Sequence, residues 1–436
     1  MELPHIQVQD ISARYIITCS YNDLTELPDK LPQHLDELHC YCNRLTSLPD
    51  NLPQGLKKLD CSNNKLTYLS DYLPSALEEI VCSANVLTIL PDDLPRSLKK
   101  LYCCDNELSS LPDNLPPNLE ELICANNTLT TLPDNLPPKL EVLNCSNNEL
   151  TTLPDNLPQS LKRLHCYDNP LYSLPDNLPP NLEELNCYSN HLTILPDNLP
   201  TILEALYCGN NELSSLPDNL PQSLKILHCS DNELTSLPDN LPKTLEQLYC
   251  CDNTLTSLPD NLPQNLQELW CCNNQLTLLP DKLPQNFLDI NCSNNQLTSL
   301  PDKLPQSFLE INCSNNQLTS LPDNLPQNLH NFYCSNNKLT ILPDLPVSLE
   351  CINLKDNPLK ANYPYIFKFH TAKAIVNYVN TRNRDMRLAR MKKINPKNQL
   401  LEIYTKRVMH PSRLAALADD SDADVDEWMT QYVESL

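Results

Sequence analysis

The sequence predicts a repeat solenoid, a horseshoe or superhelix in which every repeat adds one short strand to a parallel β-sheet on the concave face. Cysteine recurs every 21 residues from Cys19 to Cys334, and 16 of the 21 cysteines lie on that spacing. The 436 residues include 40 prolines but only two glycines, a composition unlike that of ordinary globular domains. Apolar and polar residues alternate around these lattice cysteines, which is typical of half-buried strands.

The unit around Cys229 illustrates the alternation. Residues 224–234 read L-K-I-L-H-C-S-D-N-E-L, and residues 235–242 continue with T-S-L-P-D-N-L-P. Six side chains of this unit are expected to face the interior: Leu224, Leu227, Cys229, Leu234, Leu237 and Leu241. One unit of this length cannot bury enough apolar surface to offset its own ordering cost, so its stability must come from stacking on its neighbours.

Two further features recur in every unit. Asparagine follows each lattice cysteine by three residues, from Asn22 to Asn337, and Asn357 completes the set. We predict that these amides bond the backbone of neighbouring coils, which would satisfy groups that are costly to leave bare. The return segment, L-P-D-N-L-P in most units, excludes a regular α-helix because of its prolines. The convex face is therefore predicted to be extended, polyproline-like or 3₁₀-helical.

The pattern L-x-x-L-x-C-x-x-N-x-L resembles that of the leucine-rich-repeat family, and seventeen consecutive units carry it over about four fifths of the chain. The short unit with two prolines resembles the subclass found in bacterial effector proteins that are delivered into host cells. This resemblance implies a non-enzymatic scaffold that binds proteins. Some effectors of the subclass carry a ubiquitin-ligase domain with a cysteine nucleophile after the repeats. Here only residues 360–436 follow the repeats, and no cysteine follows Cys351, which argues against a ligase.

Three parts of the chain follow from the pattern. Residues 1–18 are predicted to be an N-terminal flank that caps the open end of the core. Residues 19–359 contain about 17 units of 20 or 21 residues, and residues 360–436 are predicted to be a small helical C-terminal cap or tail.

Three helices are predicted in the C-terminal part, at residues 372–379, 385–393 and 398–408. The closing stretch has His410, Pro411, Arg413 and Leu414 followed by an acidic segment with Trp428. It resembles a short C-terminal element of proteins from giant DNA viruses of amoebae, which implies a viral origin rather than an activity.

The net charge of −24 argues against binding nucleic acid or anionic lipid through a general basic surface, and it favours a basic or neutral protein partner. No stretch is apolar and long enough to span a membrane. Residues 382–413 are an exception in charge, with ten Lys and Arg against two acidic residues. They are interpreted as a solvated basic helix, with a contact to nucleic acid or an acidic protein as the alternative.

The two glycines leave no phosphate-binding loop and no nucleophile elbow, so the sequence predicts neither an enzyme nor a cofactor. The lattice cysteines are predicted to be free thiols in a dry core, which suits a reducing compartment such as the cytoplasm, including that of a host cell, or a virion. The N-terminus lacks the features of a secretory signal, so we expect no secretion by the usual route. Cys251 and Cys272 are equivalent in adjacent units and are predicted to be thiols without a function, with an oxidised bridge or a soft metal as alternatives.

The residue before each lattice cysteine is predicted to point outward on the concave face, and unlike the core it varies from unit to unit. From Tyr207 to Trp270 this position is occupied without interruption by aromatic and histidine residues. Such side chains often carry interface energy. The candidate partner-binding residues are Tyr102, His165, Tyr167, Tyr188, Tyr207, His228, Tyr249, Trp270 and Tyr333. The alternative is that the rings only stack on each other across a solvated sheet.

The sequence therefore favours a protein-binding scaffold, and a viral or pathogen protein acting in a host cell is one form that it could take. A structural or virion-associated protein that holds basic cargo by charge is the alternative, and a ubiquitin-ligase effector is the less favoured one.

Overall fold

The computed structural model describes residues 7–11 and 14–394, and the side chains of residues 15–390. The described elements are strands, two 3₁₀ turns and one α-helix. The strands are β1 (Gln7–Ile11), β2 (Arg14–Thr18), β3 (Leu35–His39), β4 (Lys58–Asp60), β5 (Glu79–Val81), β6 (Lys100–Tyr102), β7 (Glu121–Ile123), β8 (Val142–Asn144), β9 (Arg163–His165), β10 (Glu184–Asn186), β11 (Ala205–Tyr207), β12 (Ile226–His228), β13 (Gln247–Tyr249), β14 (Glu268–Trp270), β15 (Asp289–Asn291), β16 (Glu310–Asn312), β17 (Asn331–Tyr333) and β18 (Cys351–Asn353). The 3₁₀ turns are Leu359–Ala361 and Ile366–Lys368, and helix α1 is Ala372–Ile394.

The strands form one sheet in which each strand from β2 onward is parallel to the next strand along the chain. Pairing is in register, so that Leu227 lies opposite Leu206 on one side and Leu248 on the other. Equivalent residues of successive units therefore form straight columns across the sheet. The predicted solenoid of one-strand units is confirmed.

The core runs along the whole solenoid behind the sheet. In the unit around Cys229, the strand and the residues that flank it are fully buried at Leu224, Leu227, Cys229 and Leu234. The two leucines of the return segment are buried as well. The six predicted inward positions are therefore all buried, and the lattice cysteines form a continuous column of buried thiols.

The repeated asparagines tie each coil to its neighbour. The Asn253 side chain accepts a hydrogen bond from the Leu234 backbone N–H of the preceding unit at 2.9 Å. Its amide donates to the carbonyl oxygens of Cys229 in that unit and Cys250 in its own unit, at 3.1 and 3.3 Å. The predicted structural role is confirmed, because one side chain satisfies backbone groups that the end of the strand would leave bare.

A left-handed backbone residue precedes each of these asparagines and turns the chain out of the strand. Asn210 and Asp231, for example, have φ angles of 51° and 56°. Asn and Asp tolerate this conformation better than other residues with a Cβ. Their frequency two residues after the lattice cysteines follows from this need, a signal that the sequence analysis did not use.

The return segments are extended and contain one tight turn each, in which the second proline's carbonyl accepts a bond from the residue three positions later. Pro221 and Leu224 are one such pair, at 3.1 Å. The described units contain no 3₁₀ helix, so the extended form of the prediction is the one observed. The 3₁₀ turns lie after the last strand.

The N-terminal end of the sheet is closed by an antiparallel hairpin of β1 and β2. At the other end α1 is one continuous helix, so the prediction of two separate helices at 372–379 and 385–393 was wrong. No proline interrupts this segment, and no break in the backbone is required. The predicted helix at 398–408 and the stretch that resembles viral proteins lie outside the described residues. No described helix has the length and apolar character needed to cross a membrane.

Helix α1 is attached to the last repeat by buried polar contacts. The Tyr363 hydroxyl donates to the Asn383 side-chain oxygen at 2.6 Å, and Asn383 in turn donates to the Leu342 carbonyl oxygen at 3.1 Å. Arg387 lies 2.9 Å from the Asp344 carboxylate. Part of the predicted basic segment therefore serves to hold the C-terminal cap on the solenoid.

One pair of cysteines departs from the prediction. Cys251 and Cys272 are joined by a disulfide, with Cα atoms 4.5 Å apart, and the Cys251 side chain is buried. The prediction that both were thiols was wrong, because both residues lie just beyond the strand end, where the backbone turns and the side chains are not held parallel. The other nineteen cysteines are free, including all sixteen on the lattice.

Candidate functional site

The outer surface of the sheet, which we call the sheet face, presents two residues from each three-residue strand. The middle residue of the strand is buried and the first and third are partly exposed, as in Ile226, Leu227 and His228. Because the strands are in register, the first and third residues form two columns that run side by side along the solenoid. The sheet face is the surface predicted to be concave.

Five aromatic and histidine side chains on the sheet face contact one another, and we call them the aromatic cluster. They are Tyr188, Tyr207, His228, Tyr249 and Trp270. His228 lies at the centre, with its ring centroid 5.7, 6.5 and 5.5 Å from those of Tyr188, Tyr207 and Tyr249. The rings of Tyr249 and Trp270 meet edge to face at 5.2 Å. Edge-to-face pairs at this distance are favourable beyond the area that they bury.

A glycine makes room for the centre of the cluster. A Cβ atom on Gly209 would lie 2.7 Å from His228 Nδ1 and 2.9 Å from Tyr188 Cε2, both too close for real atoms. The His228 Nδ1 atom is buried without a hydrogen-bond partner among the described residues, and burial lowers the pKa of the ring. His228 is therefore held as a neutral ring that packs like an aromatic residue. The rarity of glycine in the sequence excludes motifs but does not by itself predict this role.

The exposed end of the aromatic cluster is fixed by carboxylates on the next strands. The Tyr249 hydroxyl donates to Glu268, and the nearby Trp270 side chain partly offsets the rise in the pKa of Asp289. Burial and the Glu268 carboxylate raise the pKa of the Tyr249 hydroxyl, so it remains a donor at neutral pH. Trp270 is 41% exposed, which leaves a large indole surface in contact with water beside these acids.

The remaining predicted site residues are not part of the aromatic cluster. Tyr102 on β6 donates its hydroxyl to Glu121, and His165 on β9 lies 3.1 Å from Glu184. Tyr167 is partly exposed beyond the end of β9, and Tyr333 lies on β17, three strands beyond Trp270. The structure thus brings together five of the nine predicted residues and leaves the other four separate.

The first column of the sheet face changes character along the chain. In the N-terminal half acids alternate with lysines, and Lys58 lies 2.7 Å from Glu79 just as Lys100 lies 2.7 Å from Glu121. Burial alone would raise the pKa of Glu121, but its bonds to Lys100 and Tyr102 lower the pKa below its ordinary value. The acids in this half are therefore neutralised within the protein.

In the C-terminal half the same column presents three acids in succession, Glu268, Asp289 and Glu310, which we call the carboxylate row. None of the ion pairs among the described residues includes any of the three. Burial, Glu310 and Glu268 together raise the pKa of Asp289 to about 6. The row was not among the predicted site residues, which were chosen from the third column and its neighbour, although the loss of charge alternation in the first column is visible in the sequence.

The described residues contain no group of three or more His, Cys, Asp or Glu side chains arranged to hold a metal ion. The carboxylate row forms a strip of acidic side chains, bordered on one side by the exposed ring of Trp270.

Stacked one-strand coils with an asparagine at every turn define a class, the parallel β-solenoids built from short leucine-based repeats. The chain belongs to the leucine-rich-repeat family. The family model described as Leucine Rich Repeat matches residues 139–159. The solved structure of YopM from Yersinia enterocolitica is 36% identical, with a TM-score of 0.64, over 79% of this chain and 83% of that one.

Two other solved structures show the same similarity. YopM from Yersinia pestis, described as a leucine-rich effector protein, is 35% identical over 80% of this chain and 84% of its own, with a TM-score of 0.54. The functional domain of InlJ from Listeria monocytogenes, described as including a cysteine ladder, is 26% identical over 70% of this chain and 68% of its own, with a TM-score of 0.63. No curated protein was found to match the sequence. The predicted resemblance to effector-type leucine-rich-repeat proteins is confirmed.

Proposed function

We propose that the protein is a non-enzymatic scaffold that binds a protein partner on its sheet face, through the aromatic cluster. The observation that carries the proposal is the contact of rings on four consecutive strands, which ends in a tryptophan that is 41% exposed. Tyr and Trp are enriched among the residues that dominate binding energy, and preformed ring contacts reduce the entropy lost on binding. The similarity to effector proteins of Yersinia supports a role in a host cell.

The chemistry of the partner follows from charge. A net charge of −24 favours a basic or neutral protein over nucleic acid or an anionic membrane. Nineteen of the 21 cysteines are free, which fits a reducing compartment, whereas the single disulfide between Cys251 and Cys272 does not require one. On the weight of the free thiols we propose the cytoplasm, including that of a host cell, as the site of action.

Capture from a eukaryotic cytosolic extract tests the proposal. The immobilised chain is compared with Trp270→Ala and Tyr249→Ala, and with Tyr172→Ala as the control, because Tyr172 is 63% exposed but lies outside the sheet face. We expect specific proteins to be retained by the unchanged chain and by the control, and to be reduced at least tenfold on both cluster variants. Melting temperatures should be nearly equal for all four chains. Retention of the same proteins by the cluster variants would refute the proposal.

A further inference from the structure

The two halves of the sheet face differ in how their acids are compensated, and this difference indicates what the C-terminal half binds. Four lysines that precede the strands of the N-terminal half each pair with an acid of the unit before, and the last of these is Lys225 with Glu204 at 2.8 Å. Among the described residues, the next ion pair along the chain is Asp344 with Arg387, in the C-terminal cap. Among the described residues between Glu246 and Glu350 no acid forms an ion pair, and the carboxylate row is compensated only by hydrogen bonds, which Glu268 accepts from Tyr249 and Glu310 from Asn331.

Three carboxylates in register on adjacent strands are unfavourable by themselves. Neighbouring parallel strands are about 4.8 Å apart, and like charges at that spacing repel each other. The pKa of Asp289 rises to about 6 as a result of burial and the charges of Glu310 and Glu268. A folded protein that keeps such a row gives up stability, and departures of this kind are expected where a site is reserved for binding.

The surroundings of the carboxylate row match one kind of occupant. The exposed Trp270 ring lies at one end, where a cation can stack on the indole face. Leu288 and Leu309 take the place that lysines occupy in the N-terminal half, and Leu309 is 41% exposed. An arginine or lysine side chain has an apolar stem that packs on such leucines and a charged head that bonds carboxylates.

We propose that the carboxylate row, with Trp270 and Leu309 beside it, binds an extended protein segment that presents arginine or lysine side chains. This inference rests on the proposed function and specifies the chemistry of the partner. The segment lies across β14–β16, and its basic groups supply the positive charge that lysines of the protein itself supply in the N-terminal half. Phosphate-bearing ligands are excluded from this surface by the same three acids.

Fluorescence anisotropy with defined peptides tests the inference. The probe is a labelled peptide of three Arg-Ser repeats, and its neutral counterpart has citrulline in place of arginine. The row variant is Glu268→Gln/Asp289→Asn/Glu310→Gln. Its control is Asp239→Asn/Asp260→Asn/Asp281→Asn, which removes the same charge from exposed return segments. We expect the unchanged chain to bind the arginine peptide at least tenfold more tightly than the citrulline peptide.

The row variant should lose at least tenfold in affinity for the arginine peptide, and the control less than about threefold, because long-range attraction is the same in both. Equal losses in the two variants, or no preference for arginine in the unchanged chain, would overturn the inference. If partner proteins captured through Trp270 bind the row variant undiminished, the inference fails while the proposed function stands. If capture is independent of Trp270, the proposed function fails whatever the peptides do.

Discussion

The N-terminal and C-terminal halves of the sheet face have the same backbone but opposite electrostatics. Lys100 and Glu121 form an ion pair on adjacent strands of the first half, whereas Glu268 and Asp289 stand side by side in the second. The core behind both halves has the same plan, with buried apolar side chains, thiols and asparagines at equivalent positions, although Phe287, Phe308 and Phe332 replace leucines in the second half. The comparison shows that the repeat fixes the fold, while the proposed binding depends on the side chains that the fold leaves exposed.

The largest expected effect on the free energy of unfolding comes from the disulfide, which occurs only in the C-terminal half. Bridging Cys251 and Cys272 closes a loop of 21 residues, and such a cross-link contributes about 2–4 kcal/mol by constraining the unfolded chain. We expect dithiothreitol to lower the free energy of unfolding of the native chain by about that amount, and to have no effect on Cys251→Ser.

Alkylation of the unfolded, unreduced chain is the complementary measurement. Nineteen cysteines should react. They include Cys103 and Cys124, which are also equivalent residues of adjacent units but are free thiols that face the core. Reaction of all 21 without a reductant would show that the bridge does not form.

The two glycines form a natural pair of sites, since Gly209 lies inside the aromatic cluster and Gly55 lies far from it. Gly209→Ala should destabilise the protein by about 1–3 kcal/mol, because the new methyl group would overlap His228 and Tyr188. Gly55→Ala should stabilise it by about 0.4–1 kcal/mol, since nothing lies within 4 Å of the added atom and the unfolded chain loses freedom. Denaturant unfolding of both variants checks the prediction, and equal effects would contradict the packing described for the aromatic cluster.

Asp289 offers a smaller effect that depends on pH. Its pKa is raised to about 6 in the folded protein, so the folded state binds the proton more tightly than the unfolded state does. The charged form therefore lowers stability above pH 6, and this penalty disappears as the pH falls toward 4. We expect Asp289→Asn to raise the melting temperature at pH 7.5. The corresponding gain in the free energy of unfolding should be less than about 1 kcal/mol, because the side chain is partly solvated. The gain should vanish near pH 4, and a gain of the same size at both values would contradict the assignment.

Most of the fold could be predicted because one spacing fixes it. A cysteine and an asparagine at constant offsets determine which residues face inward, and Leu227 and Asn232 lie where the pattern requires. The disulfide could not be predicted, because whether Cys251 and Cys272 meet depends on the turn that follows the strand. Neither could the continuity of α1, since its stability comes from contacts such as that of Asn383 with Leu342 in the last repeat.

The candidate site could be predicted only in part. Alternation along the strands identified the column of Tyr207, His228, Tyr249 and Trp270, because period two alone assigns side chains to a face. The order of the units already separates Tyr102 and Tyr333 from this group, but it could not show that Tyr188 contacts His228, since Tyr188 lies beyond the end of its strand. The three acids of the carboxylate row are visible in the sequence. Only the structure shows that equivalent acids in the N-terminal half pair with lysines and that these three do not.

Matched charge removal in the two halves tests the account most directly, because it requires no partner. The row variant Glu268→Gln/Asp289→Asn/Glu310→Gln is compared at pH 7.5 with Glu79→Gln/Glu121→Gln/Glu184→Gln, whose acids contact Lys58, Lys100 and His165. The account predicts opposite signs: a higher melting temperature for the row variant, where repulsion is relieved, and a lower one for the other, where favourable contacts are lost. A lower melting temperature for both variants would show that the carboxylate row is compensated within the protein, and would contradict the account.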